Sequence, residues 1–132
     1  MDKMCSAPVA GKYRPLLFSM EVMFDTAAKF GSMADCFDAL EREDRAGTEA
    51  ICWMMTRLVN EGEAYRRDAG FDPDKLFAQG EITINTPAWY RIYKQAVLKA
   101  IELGYTREVE HPDEEVDLVL QEIKAKKAEA GD

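Results

Sequence analysis

Apolar residues recur at helical spacing over most of the chain, and glycine, proline and capping residues divide this pattern into segments. A first helix is predicted from Ser19 to Gly31, with Met20, Phe24 and Ala27 on one face, and a second from Ser32 to about Glu41. A third and more apolar segment begins at Thr48, and Gly62 is expected to end or bend it. The third helix is therefore predicted to be the most buried.

The second half of the chain contains three further helical signals. Asp72-Pro73 combines a cap with a proline at the first helical position and opens a short segment through Phe77. Thr86-Pro87 begins a long helix that Gly104 is expected to stop. The predicted apolar face of this long helix consists of Trp89, Ile92, Tyr93, Ala96, Ala100 and Leu103.

The last helical signal follows His111-Pro112-Asp113, with acidic residues in its first turns and lysines in its last. Its apolar residues form a narrow seam, which suits docking against another surface. The seam consists of Val116, Val119, Leu120 and Ile123.

The N-terminal part does not follow the helical period. Residues 1–11 are predicted to form a loosely ordered lead with a turn at Ala10-Gly11, and Lys12 to Phe18 favour a short strand or hairpin. The predicted fold is mainly α, a compact helical domain of about five to six helices with a small N-terminal β element. We expect the lead at 1–11, the helical domain at 12–104 and an acidic C-terminal helix, packed or mobile, at 105–132.

The composition narrows the classes of partner. In 132 residues, 17 Lys plus Arg stand against 25 Asp plus Glu, which gives a formal net charge of −8. Such a surface repels phosphate backbones and anionic lipids, so nucleic acid and membranes are not the expected partners. No apolar run approaches the roughly 20 residues that span a bilayer, and Met1 to Gly11 lacks the apolar centre of a signal peptide. We therefore expect a cytoplasmic protein.

The residue types that usually carry catalysis or metals do not occur in a productive pattern. The odd number of cysteines, Cys5, Cys36 and Cys52, predicts reduced thiols, and His111 is the only histidine. A structural zinc site would need about four such ligands at short spacings. Acid pairs such as Glu21 with Asp25 are typical of solvated helix faces. We expect no enzyme activity, no cofactor and no metal, although a small hydrolase or metal enzyme that uses the clustered acids stays an alternative.

Methionines suggest where a partner would bind. Five of the seven lie in the first three predicted helices, and the flexible thioether adapts to irregular surfaces. Core packing is the default role, and a groove that receives a partner helix is the competing hypothesis. The candidate partner-binding residues are those of the first and third helices and of the C-terminal seam: Met20, Met23, Phe24, Met54, Met55, Val116, Val119, Leu120 and Ile123.

Several runs of residues, in order, carry a family resemblance. They are Gly11 to Ser19, the helix that ends Lys29-Phe30-Gly31, the stretch Ala50 to Met55, the exit Asn60-Glu61-Gly62, and the Ala-Ile-x-x-Gly ending at Gly104. In this order the chain resembles phage tail assembly chaperones over Lys12 to Gly104, whereas the acidic segment after Tyr105 departs from the family pattern.

The resemblance implies a prophage or phage protein of the siphophage type, made in the bacterial host. Such a protein keeps the tape measure protein soluble, helps to recruit tail tube subunits and is absent from the finished virion. A structural tail completion or connector protein, a small helical protein-binding adaptor and a regulatory DNA-binding domain are the alternatives. The oligomeric state, monomer or homo-oligomer, stays open.

Overall fold

The computed structural model describes residues 4–72 and 74–106. The elements are, in chain order, strands β1 (Met4–Val9) and β2 (Lys12–Leu17) and helices α1 (Met20–Phe30), α2 (Met33–Leu40), α3 (Arg45–Asp68) and α4 (Pro87–Thr106). The predicted mainly helical class with a small N-terminal β element is confirmed. The predicted count of five to six helices is wrong for the described ranges, which contain four.

Strands β1 and β2 form an antiparallel hairpin that pairs Met4 with Leu17 and Val9 with Lys12. Ala10, with φ 51°, and Gly11, with φ 88°, make the two-residue turn. The prediction of a loose lead at 1–11 is therefore wrong for Met4–Val9, because this stretch pairs with β2. The hairpin buries one face against α3 and α4, where Ala7, Val9 and Leu16 are buried.

Helix α3 runs through the centre of the fold. It begins at Arg45, three residues before the predicted start, because Asp44 caps it by accepting the Gly47 N–H at 2.9 Å. Its apolar face is completely buried between the hairpin, α2 and α4. The fully buried residues of this face are Ile51, Met54, Met55, Leu58 and Val59. The prediction that the third helix is the most buried one agrees with this arrangement.

Two glycines that the pattern assigned to helix ends lie inside helices. Helix α3 continues through Gly62, where a Cβ atom would lie 2.3 Å from the Pro15 carbonyl oxygen of β2. Helix α4 continues through Gly104 to Thr106, and a Cβ atom at Gly104 would lie 2.5 Å from the Phe18 carbonyl oxygen. Both residues are glycine because another backbone approaches the helix there.

The long connection from α3 to α4 is irregular, and hydrogen bonds hold it against α3. The Asn60 side chain donates to the Phe77 carbonyl and accepts the Phe77 N–H, both at 2.8 Å, while Glu63 accepts the Asp74 N–H at 2.9 Å. Phe77 and Ile82 are buried as anchors. The prediction of a short helical segment through Phe77 is therefore wrong for residues 74–77. Side chains of α3 form hydrogen bonds with the backbone groups that such a helix would pair within itself.

Candidate partner-binding surface

Helix α1 is built from local signals that the sequence contains. The Ser19 hydroxyl accepts the Val22 N–H at 3.2 Å, and the helix ends where Gly31 takes φ 103°. Glu21 in the first turn and Lys29 in the last turn complement the helix dipole. The predicted limits of this helix are confirmed at both caps.

One side of α1 is fixed to α3 by burial and by polar contacts. Val22 and Thr26 are fully buried, and Thr26 donates to the Val22 carbonyl at 2.6 Å. Ser19 also donates to Glu61 Oε1 at 2.7 Å, and Arg57 Nη2 lies 2.7 Å from Asp25 Oδ2. These contacts determine which side of α1 faces solvent.

The adjoining side of α1 carries large apolar groups in solvent. Met20 is 59% exposed and Phe24 is 55% exposed, one helical turn apart, whereas Met23 and Ala27 beside them are half-buried. We call these four residues the α1 stripe. This exposed apolar pair makes the α1 stripe the candidate surface for an amphipathic partner helix.

The methionines of α3 do not belong to that surface. Met54 and Met55 are both 0% exposed, and Met54 Sδ lies 3.5 Å from the Thr26 hydroxyl beneath α1. The prediction that these two residues contact a partner is therefore wrong for this fold, because α1, α2 and the hairpin cover α3. Of the predicted binding residues, Met20, Met23 and Phe24 come together on α1.

The predicted C-terminal seam, Val116, Val119, Leu120 and Ile123, lies outside the described residues. The end of α4 lies next to α1, however. The Tyr105 ring stacks on Phe18 with centroids 5.7 Å apart, and its hydroxyl donates to Met23 Sδ at 3.6 Å. The last turn of α4 therefore lies against the α1 stripe.

Helix α4 presents a second apolar pair that the sequence assigned to the core. Trp89 is 39% exposed and Ile92 is 40% exposed, although Tyr93 is buried and donates to the Pro8 carbonyl at 2.9 Å. The buried face of α4 is rotated away from Trp89 and comprises Tyr93, Val97, Ala100 and Ile101. The sequence pattern does not separate this exposed pair from the core, because Trp89, Ile92 and Tyr93 lie close together around the helix axis and share one apolar face.

The thiols do not have the character of nucleophiles. Burial raises the pKa of Cys36 to about 12, and burial also raises the pKa of Cys5 and of Cys52.

A cleft of about 860 Å³ between the starts of α3 and α4 is lined by charged and apolar side chains without cysteine or histidine. Within 4–72 and 74–106, no three His, Cys, Asp or Glu residues are grouped so that they could hold a metal ion.

Over the part of the chain that the structure describes, no helix has both the length and the apolar content to cross a bilayer. The chain matches no protein-family model, and no curated protein or solved structure matches it.

Proposed function

We propose that the protein is a phage tail assembly chaperone-like protein that binds the tape measure protein without catalysis and assists assembly of the tail tube around it. It acts in the cytoplasm of the bacterial host. The observation that carries the proposal is the α1 stripe, in which Met20 and Phe24 remain more than half exposed on a helix whose other side is fixed.

The physics of this surface suits a long helical client. A tape measure protein is apolar along its helical seams, and such a seam fills a methionine and phenylalanine surface by helix-in-groove packing. Burying one methionine or phenylalanine side chain contributes about 1.5–3 kcal/mol, so each single contact is weak and reversible. The net charge of −8 keeps the loaded complexes apart in solution.

Co-expression with the long coiled-coil protein encoded in the same phage or prophage tests the proposal. We expect the wild-type chain to raise the soluble fraction of the coiled-coil protein severalfold and to co-purify with it. Phe24→Glu places a charge in the α1 stripe and is expected to weaken binding by about 2 kcal/mol or roughly thirtyfold, as loss of a central contact does. Ile92→Glu on α4 is the matched control and is expected to bind as the wild type does.

Two results would contradict the proposal. One is a coiled-coil protein that stays insoluble with the wild-type chain, and the other is equal binding by the Phe24 and wild-type chains. Mass spectrometry of purified virions separates the chaperone from the structural alternative. A completion or connector protein stays in the particle, whereas the proposed chaperone is absent from it.

A further inference from the structure

Two clefts meet over the first turns of α3. The cleft of about 860 Å³ between the starts of α3 and α4 adjoins a second cleft of about 1040 Å³, which lies between α3, the ends of α1 and α2 and the connection before α4. Arg45, Thr48 and Ile84 line both clefts, so the two form one groove, which we call the α3 groove. Pockets for single small molecules measure roughly 300–1,000 Å³. The α3 groove therefore has room for a ligand larger than a small molecule.

Apolar side chains line the α3 groove in both of its halves. Phe30 and Trp53 meet edge to face with ring centroids 5.7 Å apart, and both are half-buried. Ile84, Tyr90 and Leu98 are half-buried on the side of α4. Such side chains keep part of their apolar area in water, so apolar groups of a ligand gain free energy by covering them.

Basic side chains of the α3 groove fall into a paired and an unpaired set. Arg42 Nη2 lies 2.7 Å from Asp44 Oδ2, and Lys94 Nζ lies 3.2 Å from Glu41 Oε2. The unpaired set is exposed and forms no side-chain hydrogen bond or ion pair with any residue of the ranges 4–72 and 74–106. It consists of Lys29, Arg45 and Arg91.

The α3 groove is more basic than the chain as a whole. Five Lys or Arg side chains and three Asp or Glu side chains line it, whereas the whole chain has 17 Lys plus Arg against 25 Asp plus Glu. The groove therefore favours a negatively charged ligand. Glu43 and Glu49 lie in the same lining, and with the net charge of −8 they disfavour the closely and evenly spaced charges of a phosphate backbone.

We infer that the α3 groove binds an acidic peptide segment of a partner protein, one in which apolar side chains alternate with the acids. The apolar side chains of the segment cover Trp53 and Ile84, and its carboxylates pair with Arg45 and Arg91. A guanidinium group suits this role because it binds a carboxylate through two parallel N–H donors. The α1 stripe takes no part in this interaction, so the inference does not rest on the proposed function.

Fluorescence anisotropy with labelled synthetic peptides tests the inference. The probe is a peptide in which glutamate alternates with leucine, and two matched peptides replace every glutamate by lysine or every leucine by serine. We expect the full-length chain to bind the probe with an affinity that falls as the salt concentration rises. Each matched peptide is expected to bind roughly tenfold more weakly or worse. A probe that does not bind, or a matched peptide that binds equally well, would overturn the inference.

Charge reversal shows where the probe binds. Arg45→Glu combined with Arg91→Glu is expected to weaken binding roughly tenfold or more, because two attractive charges become repulsive. Arg67→Glu combined with Lys99→Glu makes the same change in net charge at exposed positions outside both clefts and is expected to bind as the wild type does. Equal melting temperatures report that both variants are folded. Equal binding by the two variants would contradict a site in the α3 groove.

Removal of the acids in the α3 groove is a test with the opposite sign. Glu43→Gln combined with Glu49→Gln is expected to strengthen binding of the probe severalfold, a gain that a merely less stable fold does not produce. Unchanged or weaker binding would count against the inference. Phe24→Glu changes the α1 stripe and is expected to bind the probe as the wild type does, whereas weaker binding would place the probe on the α1 stripe and overturn the inference.

The same variants distinguish two other occupants of the α3 groove. Single-stranded DNA that binds as tightly as the probe, and loses binding in the arginine double variant, would assign the groove to nucleic acid. Self-association without peptide in analytical ultracentrifugation, abolished in that variant, would assign the groove to a second copy of the chain. Either result would overturn the inference, and we expect neither. No coiled-coil protein enters these measurements, so failure of the proposed function leaves their outcome unaffected.

Discussion

Helices α1 and α3 carry apolar faces of the same kind, yet they are used differently. In α3, Met54 and Met55 are completely buried by elements on several sides. In α1, Met20 and Phe24 stand in water, because α2, α3 and the end of α4 cover only the adjoining sides of the helix. The spacing of apolar residues shows that a helix has an apolar face. The elements that pack against the helix decide whether this face is buried in the core or exposed on the surface.

The largest expected effect comes from shortening one methionine in each helix, which tests whether the two apolar faces differ in burial. Met55→Ala leaves a cavity in a closed core and is expected to lower the free energy of unfolding by about 2–5 kcal/mol. Met20→Ala removes the same side chain from an exposed site and is expected to cost about 1 kcal/mol or less. Urea denaturation measures both. Equal losses would mean that α1 is as closely covered as α3.

A second substitution tests whether β2 packs as closely against α3 as the structure shows. Alanine normally stabilises a helix by about 1 kcal/mol relative to glycine. At Gly62 we expect the opposite sign, a loss of about 1–3 kcal/mol, because the new methyl group would meet the Pro15 carbonyl. Ala46→Gly, at an exposed position of the same helix, is the control and is expected to show the ordinary preference for alanine. A Gly62→Ala chain that unfolds at a higher urea concentration than the wild type would contradict the close approach of β2.

The smallest expected effect concerns how the two helices begin. Helix α1 has a neutral Ser19 cap, whereas α3 has Asp44, whose pKa is lowered from 3.8 to about 2 by hydrogen bonds from the Arg42 side chain and the Gly47 N–H. A lowered pKa means that the charged cap stabilises the fold above about pH 4 and that this contribution is lost as the pH falls toward 2. Of the two caps, Asp44 of α3 is therefore the one expected to lose its stabilising contribution in acid.

Asp44→Asn keeps a good cap without the charge and tests this sensitivity. We expect its melting temperature to lie below that of the wild type at pH 7 and the difference to shrink between about pH 4 and pH 2. Ser32→Asn in α2 replaces one neutral cap by another, and its difference from the wild type is expected not to vary with pH. A constant difference for Asp44→Asn would show that the carboxylate is not held in its charged form.

Local features of the chain were predictable from the sequence. The caps Ser19 and Ser32, the end of α1 at Gly31 and the turn at Ala10-Gly11 follow from residues that interact with their near neighbours. The candidate site was predictable to the same extent, since Met20, Met23 and Phe24 share a helical face by spacing alone. These interactions span a few residues, so the linear order contains the information.

The sequence by itself determined the mainly helical class, the positions of most helix starts and the existence of apolar faces, because periodicity and capping are short-range properties. Only the tertiary structure decided that Met54 and Met55 are core, that Ile92 is surface, and that Gly62 and Gly104 admit a neighbouring backbone. Burial and close approach depend on residues distant in the chain, and a glycine at a helix end and a glycine beneath a strand look the same in sequence.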